Sequence, residues 1–240
     1  PIPTDVASII LTGTTSMKVG QTAQLEAVAY PLDADDRSLL WESSNNDIAT
    51  VTQNGTVTAL AQGEVKIKVS SISNPSVFKE CTISIIQPVV GISLNKTEMN
   101  LKVGETNQLN VSIFPNNATN KKVIWKSENE KIATVSQNGM VQALSPGETI
   151  IYVSSTEEES IQSQCSVTVT QPVSSITLDE STILLKSIGE TKQLTATVYP
   201  SDASNKTINW YSSNTDVCIV SPRGLVTAVG EGNSVLVATT

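Results

Sequence analysis

Gly20-Gln21-Thr22-Ala23-Gln24-Leu25 recurs as Gly104-Glu105-Thr106-Asn107-Gln108-Leu109 and again as Gly189-Glu190-Thr191-Lys192-Gln193-Leu194. The steps between the leading glycines are 84 and 85 residues. That period is too long for a helical solenoid unit and suits an autonomous small sandwich. The same steps carry Pro31 to Pro115 and Pro200, Trp41 to Trp125 and Trp210, Asn45 to Asn129 and Asn214, and Gly55 to Gly139 and Gly224. Gly63, Gly147 and Gly232 extend the register. The one-residue difference falls where Leu101-Lys102-Val103-Gly104 becomes Leu185-Lys186-Ser187-Ile188-Gly189, which reads as a loop or bulge insertion.

Inside a copy the period is two, the signature of strands with one wet and one buried face. Ile92 and Leu94 flank Ser93, matched by Ile9/Leu11 and Ile176/Leu178. Leu109, Val111 and Ile113 alternate with Asn110 and Ser112, and Pro115, like Pro31 and Pro200, ends that strand because proline donates no ladder hydrogen bond. A tryptophan strand follows, its inward set Val123/Trp125, Leu39/Trp41 or Ile208/Trp210. Next come Ala133/Val135, Ala49/Val51 and Cys218/Val220, then a hairpin at Asn54-Gly55, Asn138-Gly139 or Arg223-Gly224, and a return through Val57/Ala59, Val141/Ala143 and Val226/Ala228. Past the next glycine run Ile67/Val69, Ile151/Val153 and Leu236/Ala238. A last strand, Cys81/Ile83/Ile85 or Cys165/Val167/Val169, closes the first two copies. Its counterpart in the third copy would fall beyond Thr240. The third copy is therefore expected to lack that strand, through a chain boundary or because a partner supplies it at the open edge.

The pattern predicts an all-β chain of tandem immunoglobulin-like β-sandwiches arranged as a rod, with domains at residues 1–87, 88–171 and 172–240. The joints Gln87-Pro88-Val89 and Gln171-Pro172-Val173 are short and contain proline, which restrains them. Trp125-Lys126-Ser127-Glu128-Asn129, Ile132-Ala133-Thr134-Val135 and Asn138-Gly139 with Val141 and Gly147 resemble the bacterial immunoglobulin-like domain of group two. Trp41-Glu42-Ser43-Ser44-Asn45, Ile48-Ala49-Thr50-Val51 and Asn54-Gly55-Thr56-Val57 carry the motif more fully. The resemblance implies an extracellular or bacterial cell-surface setting, where the family serves as spacers, adhesin shafts and accessory modules. The third copy departs from the pattern, with Cys218 where the others have alanine.

Composition narrows the chemistry. The 240 residues carry a net charge of −8 and no histidine. A Ser-His-Asp triad and a His-ligated metal are thereby excluded, and the acidic balance argues against a nucleic-acid partner. No apolar run is long enough to span a bilayer, and Pro1-Ile2-Pro3-Thr4 is not a basic leader, so the chain reads as a soluble segment with any signal peptide already removed. Asp33, Asp35 and Asp36, and Glu157, Glu158 and Glu159, are acidic groups of the kind calcium uses, but they recur in no common register and read as solvated loops. Trp41, Trp125 and Trp210 alternate with inward apolar residues and are assigned to the structural core rather than to a glycan platform. Tyr30, Phe78, Phe114, Tyr152, Tyr199 and Tyr211 remain as the aromatic candidates for sugar stacking. Cys81 and Cys165 sit one domain apart and read as free buried thiols, while Cys218 would have its partner, if any, in the strand beyond Thr240.

These residues predict no catalytic group, no metal and no cofactor. The expected role is a non-catalytic structural or adhesive stalk of a bacterial cell-surface or secreted protein. Its partners are then the other domains of a longer parent, with a host surface protein or glycan as candidate ligand. The alternative is an accessory carbohydrate-binding module of a surface polysaccharide-processing system.

Overall fold

Short runs of alternating small apolar and hydroxyl residues, broken by glycine and proline, favour pleated strands over helices. In the computed structural model the described residues, 4–240, form strands and no helix; Pro1-Ile2-Pro3 lies outside them. The first copy holds β1 (Ser8–Thr12), β2 (Ser16–Lys18), β3 (Thr22–Gln24), β4 (Glu26–Tyr30), β5 (Leu39–Ser43), β6 (Ala49–Val51), β7 (Thr56–Ala59), β8 (Gly63–Ser71) and β9 (Phe78–Ile86). The second repeats them as β10 (Gly91–Leu94), β11 (Glu98–Lys102), β12 (Thr106–Gln108), β13 (Val111–Phe114), β14 (Val123–Ser127), β15 (Ala133–Val135), β16 (Met140–Ala143), β17 (Gly147–Ser155) and β18 (Gln162–Thr170). The third has β19 (Ser175–Leu178), β20 (Thr191–Gln193), β21 (Ala196–Tyr199), β22 (Asn209–Ser212), β23 (Cys218–Val220), β24 (Leu225–Ala228) and β25 (Leu236–Thr239).

The sheets of the first copy run β1-β4, β2-β9-β8-β5 and β3-β7-β6, and the second copy repeats all three orders as β10-β13, β11-β18-β17-β14 and β12-β16-β15. The third keeps β19-β21 and β20-β24-β23, but its four-stranded sheet is reduced to β22-β25. By proximity the chain divides into two compact units, Pro1–Ser93 with Ser112–Val123 and Ser154–Gln162, and Leu94–Val111 with Ile124–Val153 and Ser163–Thr240. The dividing line crosses the second repeat.

Two features depart from the alternation read in the sequence. The strand expected to run unbroken from Leu25 changes sheets there: β3 pairs with β7, while β4 pairs with β1 in the register Ile9↔Ala29 and Leu11↔Ala27. In the first two copies the segment before the Gly-x-Thr turn, to which the alternation assigned no strand, is itself a strand. β2 lies parallel to β9, with Met17 opposite Ile85, and β11 lies parallel to β18, with Met99 opposite Val167 and Leu101 opposite Val169. The early part of each of the first two copies is thus hydrogen-bonded alongside its last strand.

The core follows from these registers. In the first copy Ile9, Met17, Leu25, Trp41, Val57, Ile67, Val69, Ile83 and Ile85 are buried in one cluster. The hairpin glycine closes it. Gly139 has φ +83, and a Cβ there would lie 2.5 Å from the carbonyl oxygen of Leu109 and 2.9 Å from Cζ2 of Trp125. Asn54 and Asn138 do not share the positive φ, which is confined to glycines in the described chain. Arg223 can therefore replace them beside Gly224.

Gly104 provides the control, because it has φ +88 but nothing within 4 Å of its absent Cβ. Gly104→Ala is expected to cost only the left-handed backbone term, about 1–2 kcal/mol. Gly139→Ala adds overpacking to that term and is expected to cost about 2–5 kcal/mol in urea denaturation.

Candidate functional site

Residues that recur in all three copies are the natural candidates for a shared site, and the recurring Gln, Ser and Asn side chains each have a definite partner. The amide Nε2 of Gln24 donates to the carbonyls of Leu25 and Asn54 at 2.8 and 2.6 Å. Gln108 does the same to Leu109 and Asn138, and Gln193 to Leu194 and Arg223. This glutamine stands where the chain changes sheets and ties the crossing point to the hairpin. Gln21, Glu105 and Glu190 accept from the backbone N–H of Lys18, Lys102 and Lys186, closing the turn around the preceding glycine.

The Trp-x-Ser-x-Asn motif is likewise structural. Ser43, Ser127 and Ser212 donate Oγ–H to the carbonyls of Ala49, Ala133 and Cys218 at 2.6, 2.6 and 2.7 Å. Asn45 Oδ1 accepts from the N–H of Asp47, and its backbone carbonyl accepts from Ile48 and Ala49. Asn129 and Asn214 repeat the side-chain bond with Lys131 and Asp216. Sequence reading found these residues by recurrence but could not assign them, because their partners are backbone atoms, which carry no sequence signature.

Trp41 and Trp125 are 6% and 5% exposed, whereas Trp210 is half-buried and packs at the rim of a core reduced to Leu194, Cys218 and Val226. The six remaining aromatics fall two to a copy, and the two always lie in different sheets: Tyr30 on β4 and Phe78 on β9, Phe114 on β13 and Tyr152 on β17, Tyr199 on β21 and Tyr211 on β22. No flat pair for sugar stacking is formed on one sheet of any copy among the described residues.

Carboxylates do not converge. Among the described residues no three His, Cys, Asp or Glu side chains are grouped as a metal site. Glu98, Glu128 and Glu148 line an open hollow of about 510 Å³ on the second copy without approaching one another as ligands. Hydrogen bonding from Ser38, its side-chain hydroxyl first and then its N–H to Oδ1, holds the Asp36 carboxyl below the usual range. Asp179 Oδ1 accepts from the N–H of Thr195 at 2.9 Å, with the same effect. Lys192 lies 2.6 Å from Glu180, whose carboxylate raises the ammonium pKa. All three shifted groups are exposed, and the contacts are worth little to stability.

The three cysteines are free, and burial pushes the thiols of Cys81 and Cys165 up, away from nucleophilic thiolate. Cys218 Sγ sits 3.5 Å from Ser212 Oγ. In the first copy the equivalent Ser43 is opposite Ile67, and Ile67 is opposite Cys81. Two strand spacings, about 9.6 Å, therefore separate the serine from the last-strand position.

The bacterial Ig-like domain (group 2) family model matches residues 5–80, 88–169 and 172–239. An uncharacterized protein of Clostridium acetobutylicum is 35% identical over 170 residues, covering 68% of this chain and 18% of that protein. The 3-O-alpha-D-galactosyl-alpha-L-arabinofuranosidase of Bifidobacterium longum subsp. longum is 32% identical over 94 residues, covering 37% of this chain and 8% of the enzyme. The chain thus spans less than a fifth of either curated relative. Among solved structures, a C-terminal 282-residue fragment of intimin, in complex with the intimin-binding domain of the translocated intimin receptor, is 17% identical with a TM-score of 0.40, covering 73% of this chain and 68% of that one.

Trp125→Ala is expected to destabilise its copy by about 3–5 kcal/mol, the range for truncating a buried aromatic, and Trp210→Ala by clearly less. Separate chemical-denaturation curves monitored by the remaining tryptophans would show the difference. Iodoacetamide applied to the native chain at pH 8 is expected to label half-buried Cys81 well before Cys165, which is 0% exposed. Peptide mass spectrometry reads the order, and equal rates would contradict the burial.

Proposed function

The chain belongs to the bacterial Ig-like domain family (group 2), and from that premise we propose that it works as a non-catalytic stalk. The setting is a bacterial cell-surface or secreted protein, in which tandem copies space or present a functional head. The observation that carries this reading is that the recurring polar residues described above are engaged by backbone groups. A site used alike by three copies would leave recurring side chains free at the surface. The exposed positions instead diverge: the outward pair Ile10↔Val28 on β1 and β4 becomes Thr177↔Thr197 on β19 and β21. Repetition here preserves the glutamine, serine and asparagine that hold the scaffold, while Lys18, Lys102 and Lys186 recur as exposed side chains.

The joints support spacing. Gln87 donates its N–H to Thr119 Oγ1 at 2.7 Å and accepts from the N–H of Thr119 at 2.9 Å. Gln171 makes the matching pair with Ser204, at 2.8 Å each way. Each linker is thereby fastened to the loop after the proline of the copy that follows, which restrains the backbone beyond what proline does alone. The second reading, an accessory carbohydrate-binding module, draws on the glycosidase name of the Bifidobacterium relative. It lacks an aromatic platform in any one sheet.

If the copies act as a stalk, small-angle scattering is expected to give an elongated particle. A near-spherical envelope would overturn the stalk. Binding on a glycan array that disappears with Tyr211→Ala would favour the carbohydrate module instead.

A further inference from the structure

The strand that carries the tryptophan is an outer edge of its sheet: β5 and β14 each end a four-stranded sheet, with a neighbour on one side only. Backbone groups alternate in direction along such a strand. In the second copy Glu128 donates its N–H to the carbonyl of Ile150, and the carbonyl of Lys122 accepts from the N–H of Thr156, so the even-numbered residues from 122 to 128 face β17. Val123, Trp125 and Ser127 therefore turn their N–H and C=O groups to the open side.

The first copy covers the corresponding groups itself. Gln53 Oε1 accepts from the N–H of Trp41, and Gln53 Nε2 donates to the carbonyl of Trp41, both at 3.0 Å. This is the two-bond exchange that a residue of an added antiparallel strand would make. Gln137 stands at the matching place in the second copy, but its exposed side chain has no hydrogen-bond partner among the described residues, and the backbone groups of Trp125 stay uncovered. An uncovered edge is a template for another strand.

The flanks of this edge decide what fits it. Lys122, Ile124, Lys126 and Glu128 share the outer face of β14, and all four are exposed, Ile124 at 43%. In an antiparallel pair with a second molecule centred on Trp125, Lys122 falls opposite Glu128 and Glu128 opposite Lys122, while each Ile124 meets the stem of the other molecule's Lys126. The order of charges along the strand is thus complementary to its own reverse. The other copies lack this property: the positions of Lys122 and Glu128 are Ser38 and Ser44 in the first, and Thr207 and Ser213 in the third.

We infer that β14 is a dimer edge, through which two molecules of this chain pair antiparallel about a twofold axis and join their four-stranded sheets into one. The backbone groups of Val123, Trp125 and Ser127 supply the attraction. The two Lys122–Glu128 pairs fix the register and disfavour the parallel arrangement, which would set like charges side by side.

Sedimentation equilibrium of the full chain at low ionic strength is expected to show a reversible dimer that weakens with added salt. Lys122→Glu and Glu128→Lys each set like charges opposite one another at both ends of the interface. Each is expected to weaken dimerisation roughly tenfold or more, with the fold retained by circular dichroism because both side chains are exposed. An equimolar mixture of the two variants is expected to recover association as a heterodimer, since every pair is again opposite in charge. The double variant Lys122→Glu/Glu128→Lys is expected to recover it alone. A chain that stays monomeric, which would leave the edge to an unrelated partner, overturns the inference. So does a dimer indifferent to the single reversals, or one that the mixture fails to restore, since its contact then lies elsewhere.

Discussion

The indole of each tryptophan rests on a glycine with no room for a side chain. Trp41, Trp125 and Trp210 stand on β5, β14 and β22, while Gly55, Gly139 and Gly224 lie in hairpins that belong to the other sheet. This contact sets how closely the two sheets approach, and much else follows from it. The hairpin must use positive φ at that glycine. The strand before it must deliver a carbonyl, that of Leu25, Leu109 or Leu194, to the same spot. The recurring glutamine then donates to that carbonyl and to the residue before the glycine, locking the corner. Serine two residues after the tryptophan binds the start of the strand that leads into the hairpin. The motif recognisable along the sequence is the set of groups that surround one large ring.

The parts of this arrangement legible beforehand were those with a period. Two-residue alternation located the strands around Ile9, Trp41, Val57 and Ile67, and the 84- and 85-residue steps gave their repetition. What stayed hidden has a common cause. The sheet change at Leu25 leaves the alternation intact, because Leu25, Ala27 and Ala29 keep facing inward on both sides of it. The strand β2 spans three residues, too short to show a period, and exists because β9 lies beside it. The third copy makes the same point in reverse: residues 182–186 keep apolar Ile183 and Leu185 but do not form a strand without a neighbour. The recurring Gln, Ser and Asn were visible as a pattern, yet their partners are main-chain atoms.

Burial is unevenly shared among the described residues of the three copies. Fourteen buried residues form the core cluster of the first copy, against Leu194, Cys218 and Val226 in the third. Almost all the residue types needed are still there; Trp210, Ile183, Leu185 and Leu236 remain as partly covered neighbours of that cluster. The difference lies in enclosure. Removing one strand from a sandwich exposes the residues it covered and releases the strand on its far side, so the effect spreads across the sheet.

The parallel pairing of β2 with β9 and of β11 with β18 also has a mechanical meaning. Tension along the chain enters a copy near its first strands and leaves through its last one. Because those strands run side by side in the same direction, pulling them apart slides one along the other. All the ladder bonds then carry load together instead of opening one at a time from an end. The first two copies therefore have a built-in shear clamp. Under load each of these two copies holds until its ladder gives way as a whole.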